Sequence, residues 1–436
     1  MSNNKVTLEK IVAFCKRRGF VYQSAEIYGG LNGVYDFGPL GTLLKQNIRQ
    51  FWTNSIYQSS DNIFLFEGSL LTPTAVWEAS GHLENFNDPM VDCTNCKHRF
   101  RADELDLAKP CSVCGKTAWT DVRQFNLMFK THLGAMEEKG SAGYLRPETA
   151  QSVFVNFKNV ISTNRAKLPF GIAQIGKSFR NEITPKQFLF RTREFEQMEL
   201  EWFCKPENST DAFEFWMEER KNFYKNIGLK SENIQFKAHA KEDLSHYSLC
   251  CTDVEYNFPF GWKELDGLAN RTDFDLKQHS KHSGKELSVF DEETKQTITP
   301  HVVEWSIGVD RLFLTLLFDS YTEDEVDGES RVVLKLKPKL APIKGALLPL
   351  TKKINEPFKK LYKELRGKGY SIQLDESGSI GKRYRRQDEI GTPWCFTYDF
   401  DSEADNTVTV RNRDTTKQER INISQIEEYL NKEDIC

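Results

Sequence analysis

Two alternating runs on either side of a polar turn constrain this chain more than any other feature. Ile172-Ala173-Gln174-Ile175-Gly176 reads as one strand and Glu194 to Phe203 as its partner, an antiparallel hairpin spanning about 172–203. The first arm leads into Phe179-Arg180-Asn181-Glu182. The second is entered through Phe190-Arg191-Thr192-Arg193-Glu194-Phe195 and continues as Glu196-Gln197-Met198-Glu199. Arg is favoured over Lys where a phosphate is held by two parallel bonds. Glu182 shares strand parity with Arg180 and can accept from an exocyclic amine. Phe195 offers a stacking face, and Arg191 a second cation at the loop exit. Together they are the inventory for ATP. An ordinary surface hairpin with salt bridges explains each residue singly. It does not explain the set together with Gly308-Val309-Asp310-Arg311, which enters a helix.

Apolar spacing outlines the rest. Leu8, Ile11, Val12 and Cys15 predict a helix over 8–18, and Leu44, Ile48, Phe51 and Trp52 predict another from Thr42 to about Tyr57. Ile63 to Phe66 reads as a strand, and a turn ends at Pro73. The glycine-rich stretch from Gly29 to Gly41 lacks the spacing of a dinucleotide fingerprint and predicts tight turns. Trp262 to Leu265 and Val302 to Ser306 read as strands, the latter feeding a helix from about Val309 to Phe318. The acidic run Glu323 to Glu329 predicts a solvated loop, and Pro338, Pro342 and Pro349 a linker. Beyond it, strands at Ile343 to Leu350, Tyr370 to Leu374, Trp394 to Tyr398 and Thr407 to Val410 alternate with helices at about Asn355 to Arg366, over a basic run and at Ile423 to Leu430. That order predicts a separate α/β domain.

With 436 residues the chain exceeds one ordinary core, and its net charge of −4 excludes a generally basic nucleic-acid binder. No apolar run reaches the ~18 residues of a membrane helix, and Met1 to Lys5 precedes no apolar signal core. Cys93-x-x-Cys96 and Cys111-x-x-Cys114 match a closed tetrahedral zinc site within an insert at 91–122, and the other cysteines are scattered. This usage predicts a cytoplasmic chain with a structural zinc rather than a disulfide framework. His98 and His132 are superfluous to four sulfurs. His279 and His282, among lysines, predict a solvated loop.

The chain resembles the class II aminoacyl-tRNA synthetases. The helix–strand–Pro73 unit (about 42–73) is similar to their motif 1, the hairpin to motif 2, and 302–318 to motif 3. It resembles specifically the homodimeric glycyl-tRNA synthetases, through Glu26 to Gly33, Leu145-Arg146-Pro147-Glu148-Thr149-Ala150-Gln151, Glu264-Leu265-Asp266-Gly267 and Asp375 to Arg386. The resemblance implies an α+β fold: a catalytic domain at 1–335 on an antiparallel sheet, a zinc-ribbon-like insert, a family-variable insert at 205–245, and an anticodon-binding domain at 340–436.

It also implies the reaction. Glycine's carboxylate attacks the α-phosphorus of ATP, pyrophosphate leaves, and the terminal ribose of tRNA(Gly) takes the glycyl group. Such chemistry needs alignment and charge stabilisation more than acid–base groups. By resemblance, Arg180 holds the α-phosphate and, with Arg311, is the catalytic cation. Arg191 and Arg311 hold the γ-phosphate, Glu182 reads adenine, Phe195 stacks on it, and Glu264 carries magnesium. Asn181, Phe190, Thr192, Arg193, Glu194, Leu265, Gly308, Val309 and Asp310 complete the ATP set. Glycine offers only an ammonium and a carboxylate to grip. Glu148, Glu199 and Glu304, with Ser306, match the ammonium site, and Arg101 the carboxylate side. Phe195, Glu196, Gln197, Met198 and Gly308 border that pocket. Alanine is rejected by steric clash, and no natural amino acid is smaller than glycine, so no editing domain is required.

One departure stands out: Glu304-Trp305-Ser306 replaces the family's Glu-Pro-Ser. Trp lacks proline's fixed φ, but strand parity puts it opposite Glu304 and Ser306. Lys382, Arg383, Arg385 and Arg386 are expected to meet RNA phosphates, with Asp375 and Glu376 near the bases. Two alternatives are another synthetase of the same subclass, which the three carboxylates disfavour, and a non-catalytic RNA-binding relative, which Arg180, Arg191 and Arg311 disfavour.

Overall fold

The structure is a computed structural model that describes residues 6–134, 142–244, 248–292, 294–326, 328–351 and 356–432. Met1 to Lys5, Asp327 and Asn355 lie outside them. Helix α1 (Leu8–Arg18) starts where the Thr7 side chain accepts from the Lys10 amide and stops at Gly19, whose φ of 75° closes the last turn. Its core face is Ile11, Phe14 and Cys15; Val12, expected there, is 37% exposed. Helix α2 (Pro39–Ser59) begins three residues earlier than its apolar stripe suggests, because Pro39 supplies a first-turn φ and needs no amide partner. Gly41 lets it cross close behind α1: a Cβ there would lie 1.9 Å from the Phe20 carbonyl oxygen. Leu44, Ile48, Trp52 and Ile56 are fully buried against the main sheet.

That sheet grows from β1 (Ile63–Phe66). A three-stranded insert follows, β2 (Asn87–Asp92), β3 (Arg99–Arg101) and β4 (Arg123–Asn126), carrying the four cysteines at one end. Helix α3 (Ala150–Asn164) precedes the predicted hairpin, β5 (Phe170–Phe179) and β6 (Glu194–Cys204), whose arms pair from Phe170–Phe203 to Phe179–Glu194. Residues 205–245, expected as a variable insert, supply helix α4 (Ser209–Ile227) and strand β7 (Ile234–Ala238). Strands β8 (Cys250–Phe258) and β9 (Gly261–Thr272) form a second hairpin. Helix α5 (Phe274–Ser283), strand β10 (His301–Gly308) and helix α6 (Val309–Ser320) complete the unit. The seven strands order β7-β8-β9-β10-β6-β5-β1, antiparallel except where β5 meets β1.

Residue parity divides this sheet into two faces. Met198, Leu200, Trp202, Val303, Trp305, Ile307, Val254 and Leu268 turn to α2, α4 and α6 and form the main core. Trp305 packs there against Trp52, Trp216 and Phe223, and its indole donates to the buried Asp266 carboxylate at 3.0 Å. Asp266 also accepts from Arg220 at 2.6 Å and from Tyr224. The tryptophan that departs from the family pattern therefore anchors a buried polar network on the face away from Glu304 and Ser306.

Three expectations are corrected here. The acidic run is not a loop. It forms most of β11 (Tyr321–Val326), paired with β12 (Glu329–Leu334), because Lys10 and Arg331 neutralise Glu323 and Asp324. The proline-rich region is not a free linker: Leu340 and Ala341 are buried, and Asn47 donates to both carbonyls at 3.0 Å. His279 sits buried on α5 with Nε2 2.7 Å from Gln151 Oε1, so the histidine pair is not in a solvated loop.

The C-terminal unit is a five-stranded sheet: β13 (Gly345–Pro349), β14 (Ile372–Leu374), β15 (Trp394–Tyr398), β16 (Thr407–Asn412) and β17 (Gln418–Asn422) in the order β14-β13-β15-β16-β17. Pro349 thus ends a buried strand. Helices α7 (Glu356–Gly367) and α8 (Ile380–Ile390) are followed by α9 (Ile426–Leu430). Strand β17 carries no apolar run, which is why periodicity did not find it. The basic run on α8 is also corrected. Arg383 is 3% exposed and donates to the carbonyls of Pro349 and Asp375; Arg386 binds Asp375; Arg385 lies 3.5 Å from Glu329. Only Lys382 is exposed. Arg383 and Arg386 hold the C-terminal unit together and Arg385 reaches Glu329 on β12, so the run does not form a free phosphate-binding face.

Candidate active site

One cavity of about 360 Å³ opens on the opposite face of the main sheet. Parity dictates its wall. On β6 it is Phe195, Gln197 and Glu199, on β10 Glu304, Ser306 and Gly308, and on β9 Gly267 and Arg271. The register aligns Glu199 with Ser306 and Ser306 with Gly267 across three strands. The β5–β6 turn adds Arg180, Glu182, Leu189, Phe190, Arg191 and Thr192. Glu148, Glu264, Leu265 and Arg311 complete the wall, and Glu196 and Asp310 border it.

The end nearest Arg180 combines cations with aromatic faces. The Arg180 guanidinium lies 5.2 Å from the Phe195 ring and 5.3 Å from that of Phe86, and its Nε donates to the Pro147 carbonyl at 3.1 Å. Among the described residues its terminal nitrogens bind nothing. Arg180 and Glu182 lie just past the end of β5, so strand parity does not relate them as expected. A tight turn does: the Glu182 amide donates to the Arg180 carbonyl at 2.6 Å. Arg191 reaches back to Glu182 at 3.1 Å. At the rim, Arg311 lies 4.6 Å from the Phe190 ring and donates to Glu264 Oε1 at 3.1 Å.

The other end is acidic. Glu199 accepts from Ser306 at 2.7 Å, from Gln197 at 2.8 Å and from Thr149. Burial and the charges of Glu304 and Glu148 push its carboxyl up to about 7. Glu304 accepts from Arg271 at 2.9 Å; burial raises it, Arg271 opposes, and Glu148 and Asp275 add to the rise. Burial also acts to raise Glu148, but His82, Arg271 and Gln151 outweigh it and hold the carboxyl well below the usual range. Glu201, fully buried, is raised well above that range by burial and Glu304. Arg271 is 4% exposed, faces this cluster, and donates to both Glu304 and Asp275. A pocket with this surplus of carboxylate is built for a small cation.

Some expected residues turn elsewhere. Met198 and Val309 are fully buried in the main core. Glu196 has the parity of Met198 and faces α2, where it binds Lys45 at 3.0 Å and Arg49 at 2.6 Å; Asp310 binds Lys45 at 2.7 Å. Arg193 donates to the Glu182 and Asn32 carbonyls, and Glu194 pairs with Lys177. The Asn181 amide donates to Leu127. None of Asn181, Arg193, Glu194, Met198 and Val309 lines the cavity, and neither does Arg101, which binds Asp88 and Asp103 at 2.9 and 2.7 Å.

Sequence reading missed Arg271, Thr149 and Lys45. The spacing of Arg271 and Asp275 was a usable signal for the first. Arg271 sits where the β9–β10 register slips between Asn270 and Thr272, and it keeps the parity of Gly267, so its side chain lines the cavity. Gly176 on β5 leaves room for Arg146: a Cβ would lie 2.1 Å from a nitrogen of its guanidinium.

The sulfurs of Cys93, Cys96, Cys111 and Cys114 all lie within 4.8 Å of one another, with Cys93–Cys114 at 3.6 Å and Cys96–Cys111 at 3.7 Å. A tetrahedral zinc with bonds of ~2.3 Å needs sulfur edges of about 3.8 Å, so the four donors fit that ion. Replacing Cys93 and Cys96 with Ser is expected to lower bound zinc by one per chain and open residues 93–119 to limited proteolysis. Unchanged metal content and cleavage would contradict a structural zinc.

Residues 344–433 match the anticodon binding domain family. The glycine–tRNA ligase of Caldanaerobacter subterraneus subsp. tengcongensis is 52% identical over 98% of each chain. That of Geobacillus thermodenitrificans is 52% identical over 98% of this chain and 97% of its own, and that of Bacillus cereus 49% over 98% and 99%.

Proposed function

The chain belongs to the glycine–tRNA ligases and is an ATP-dependent aminoacyl-tRNA ligase, and from that premise we propose how its cavity divides the two small substrates. ATP takes the end with the arginines and aromatics. The fork of Arg180 meets the α-phosphate and the charge that grows on it, Arg191 and Arg311 meet the outer phosphates, and Glu182 meets the adenine amine. Magnesium, when bound, screens the phosphates; Glu264, the exposed carboxylate beside Arg311, is the residue placed to hold it. Glycine's ammonium takes the acidic end, among Glu148, Glu199 and Glu304. The observation carrying this reading is the Glu199–Ser306 row, with Glu304 one step along β10 and the Arg180–Phe195 pair four residues from Glu199 on β6. Phe195 backs Arg180, and adenine stacks on this same aromatic-cation layer.

Arg101 enters differently from its first assignment. It lies 3.9 Å from Glu104, which itself lies 3.7 Å from Arg191. We place it as a positioning residue for the Arg191 loop, outside the glycine pocket.

Glu199 gives the reading a pH signature. An ammonium needs the carboxylate, and the group is raised to about 7. Acidification below that value therefore protonates the ligand site, and the apparent KM for glycine is expected to climb toward about tenfold per pH unit. Glu199→Gln should flatten the profile at a high KM. A flat wild-type profile from pH 5.5 to 8 would contradict the assignment.

The remaining parts of the proposal are coarser. Two copies pair through the region of α2 and β1; β1 is an open sheet edge, and Leu65, Leu70 and Leu71 beside it are exposed. Sedimentation is expected to give a dimer. The C-terminal unit takes the anticodon of tRNA(Gly) at the cleft lined by Lys359, Leu374, Asp375, Glu376, Ser377 and Gly378. The cytoplasm is the proposed location. No helix among the described residues is long and apolar enough to cross a membrane, and none of the described cysteines is in a disulfide.

A further inference from the structure

We propose that His239, Cys251 and Asp253 form a second divalent-metal site, suited to a borderline-soft ion such as zinc, beside the active-site cavity. One donor atom from each lies within 4.8 Å of the other two. His239 Nε2 is 2.7 Å from one Asp253 oxygen, and Cys251 Sγ is 3.9 Å from the other. Metal bonds of ~2.0–2.3 Å place tetrahedral ligands roughly 3.3–3.8 Å apart, so small side-chain rotations suffice to close the shell. The backbone fixes the arrangement. Cys251 and Asp253 are two apart on β8 and share a face, and the His239 amide donates to the Cys251 carbonyl at 3.0 Å just past the end of β7. All three are partly buried. Three protein ligands leave a fourth position for water, unlike the closed four-cysteine site.

The donor set favours a metal over a plain hydrogen bond. A His–Asp pair alone needs no thiol. Cys251 Sγ, partly buried beside this pair, supplies the third donor. Binding an M²⁺ ion forms the sulfur–metal bond, breaks the S–H bond and releases one proton to solvent. The proton that His239 Nε2 donates to Asp253 shifts to Nδ1, so the neutral ring binds the ion through Nε2 with no net loss of a proton.

The site shares a sheet face with the glycine end of the cavity. Asp253 is in register with Gly267 and Gly267 with Ser306; Cys251 is in register with Ala269 and Ala269 with Glu304. Gly267 and Ala269 put no large side chain between the two clusters. Two positive charges gained less one proton lost add a net charge of about +1 to this face, which opposes an ammonium among Glu199 and Glu304. This second effect rests on the glycine placement proposed above; the metal count does not.

The test uses the full-length protein equilibrated with zinc and dialysed, with metal counted by elemental analysis. Wild type is expected to hold about two zinc ions per chain, and Cys251→Ser and Asp253→Asn one fewer, with unchanged far-UV circular dichroism. Cobalt in place of zinc should lose the charge-transfer band of a single thiolate in Cys251→Ser. One ion in the wild type, or two in Cys251→Ser, would overturn the site. Zinc is further expected to raise the glycine KM about threefold in wild type and not in Cys251→Ser. A second ion with an unchanged KM would overturn the coupling to glycine.

Discussion

Arg180→Ala is expected to lower glycine-dependent ATP–pyrophosphate exchange by roughly a thousandfold. A single donor aimed at developing charge is worth about 10²–10³ in rate, and a guanidinium on a transferring phosphoryl group up to about 10⁵. Arg180 has the placement for that role. Its Nε is tied to Pro147, its guanidinium lies over the Phe86 and Phe195 rings, and its terminal nitrogens bind no partner among the described residues. The fork is thus held in place before substrate arrives. Arg180→Lys keeps the charge and loses the paired geometry, so it should recover only a small part of the loss. Exchange within tenfold of wild type in Arg180→Ala would remove the residue from the chemistry.

The second large effect is on stability. Arg271→Ala is expected to cost about 3–5 kcal/mol, because it leaves buried carboxylates without their cation. Arg271 donates twice to Asp275, at 2.8 and 3.0 Å, and once to Glu304 at 2.9 Å. The sign with pH is fixed. Without Arg271 the Glu304 carboxyl, already raised in the folded state, rises further above its unfolded value, and a raised carboxyl loses stability as pH rises through its folded pKa. The deficit should therefore be greatest near neutral pH and shrink on acidification toward 5. Denaturant midpoints of the variant and wild type at both pH values measure it. A loss under 1 kcal/mol at pH 7.5 would show that Glu304 and Asp275 do not depend on this cation.

Much of the cavity was legible from period alone. Alternation located β6 and β10, and with them Glu199, Glu304 and Ser306 on one face and Trp305 on the other. The same rule, carried through, also separates Glu196 and Met198 from Glu199. A contiguous motif hides that split, because neighbours in sequence point to opposite faces of a strand. Arg271 was missed for a different reason: it has the parity of Gly267 and a carboxylate four residues on, but it belongs to no contiguous motif. Arg180 and Glu182 were correctly placed together on incorrect grounds, since a tight turn and not a strand joins them. The basic run on α8 misled because composition does not report burial. Arg383 and Arg386 spend their charge on carbonyls and Asp375 inside the C-terminal unit. The acidic run at β11 misled for the complementary reason, its cations lying far away in sequence at Lys10 and locally at Arg331.

We propose that the three-carboxylate end of the cavity holds the glycine ammonium, and that larger amino acids are rejected there by their side chains. ATP–pyrophosphate exchange measured with glycine, alanine and serine in turn tests it most directly. Exchange is expected with glycine and, for alanine and serine, kcat/KM lower by at least about a hundredfold. Comparable exchange with alanine or serine, or none with glycine, would contradict it.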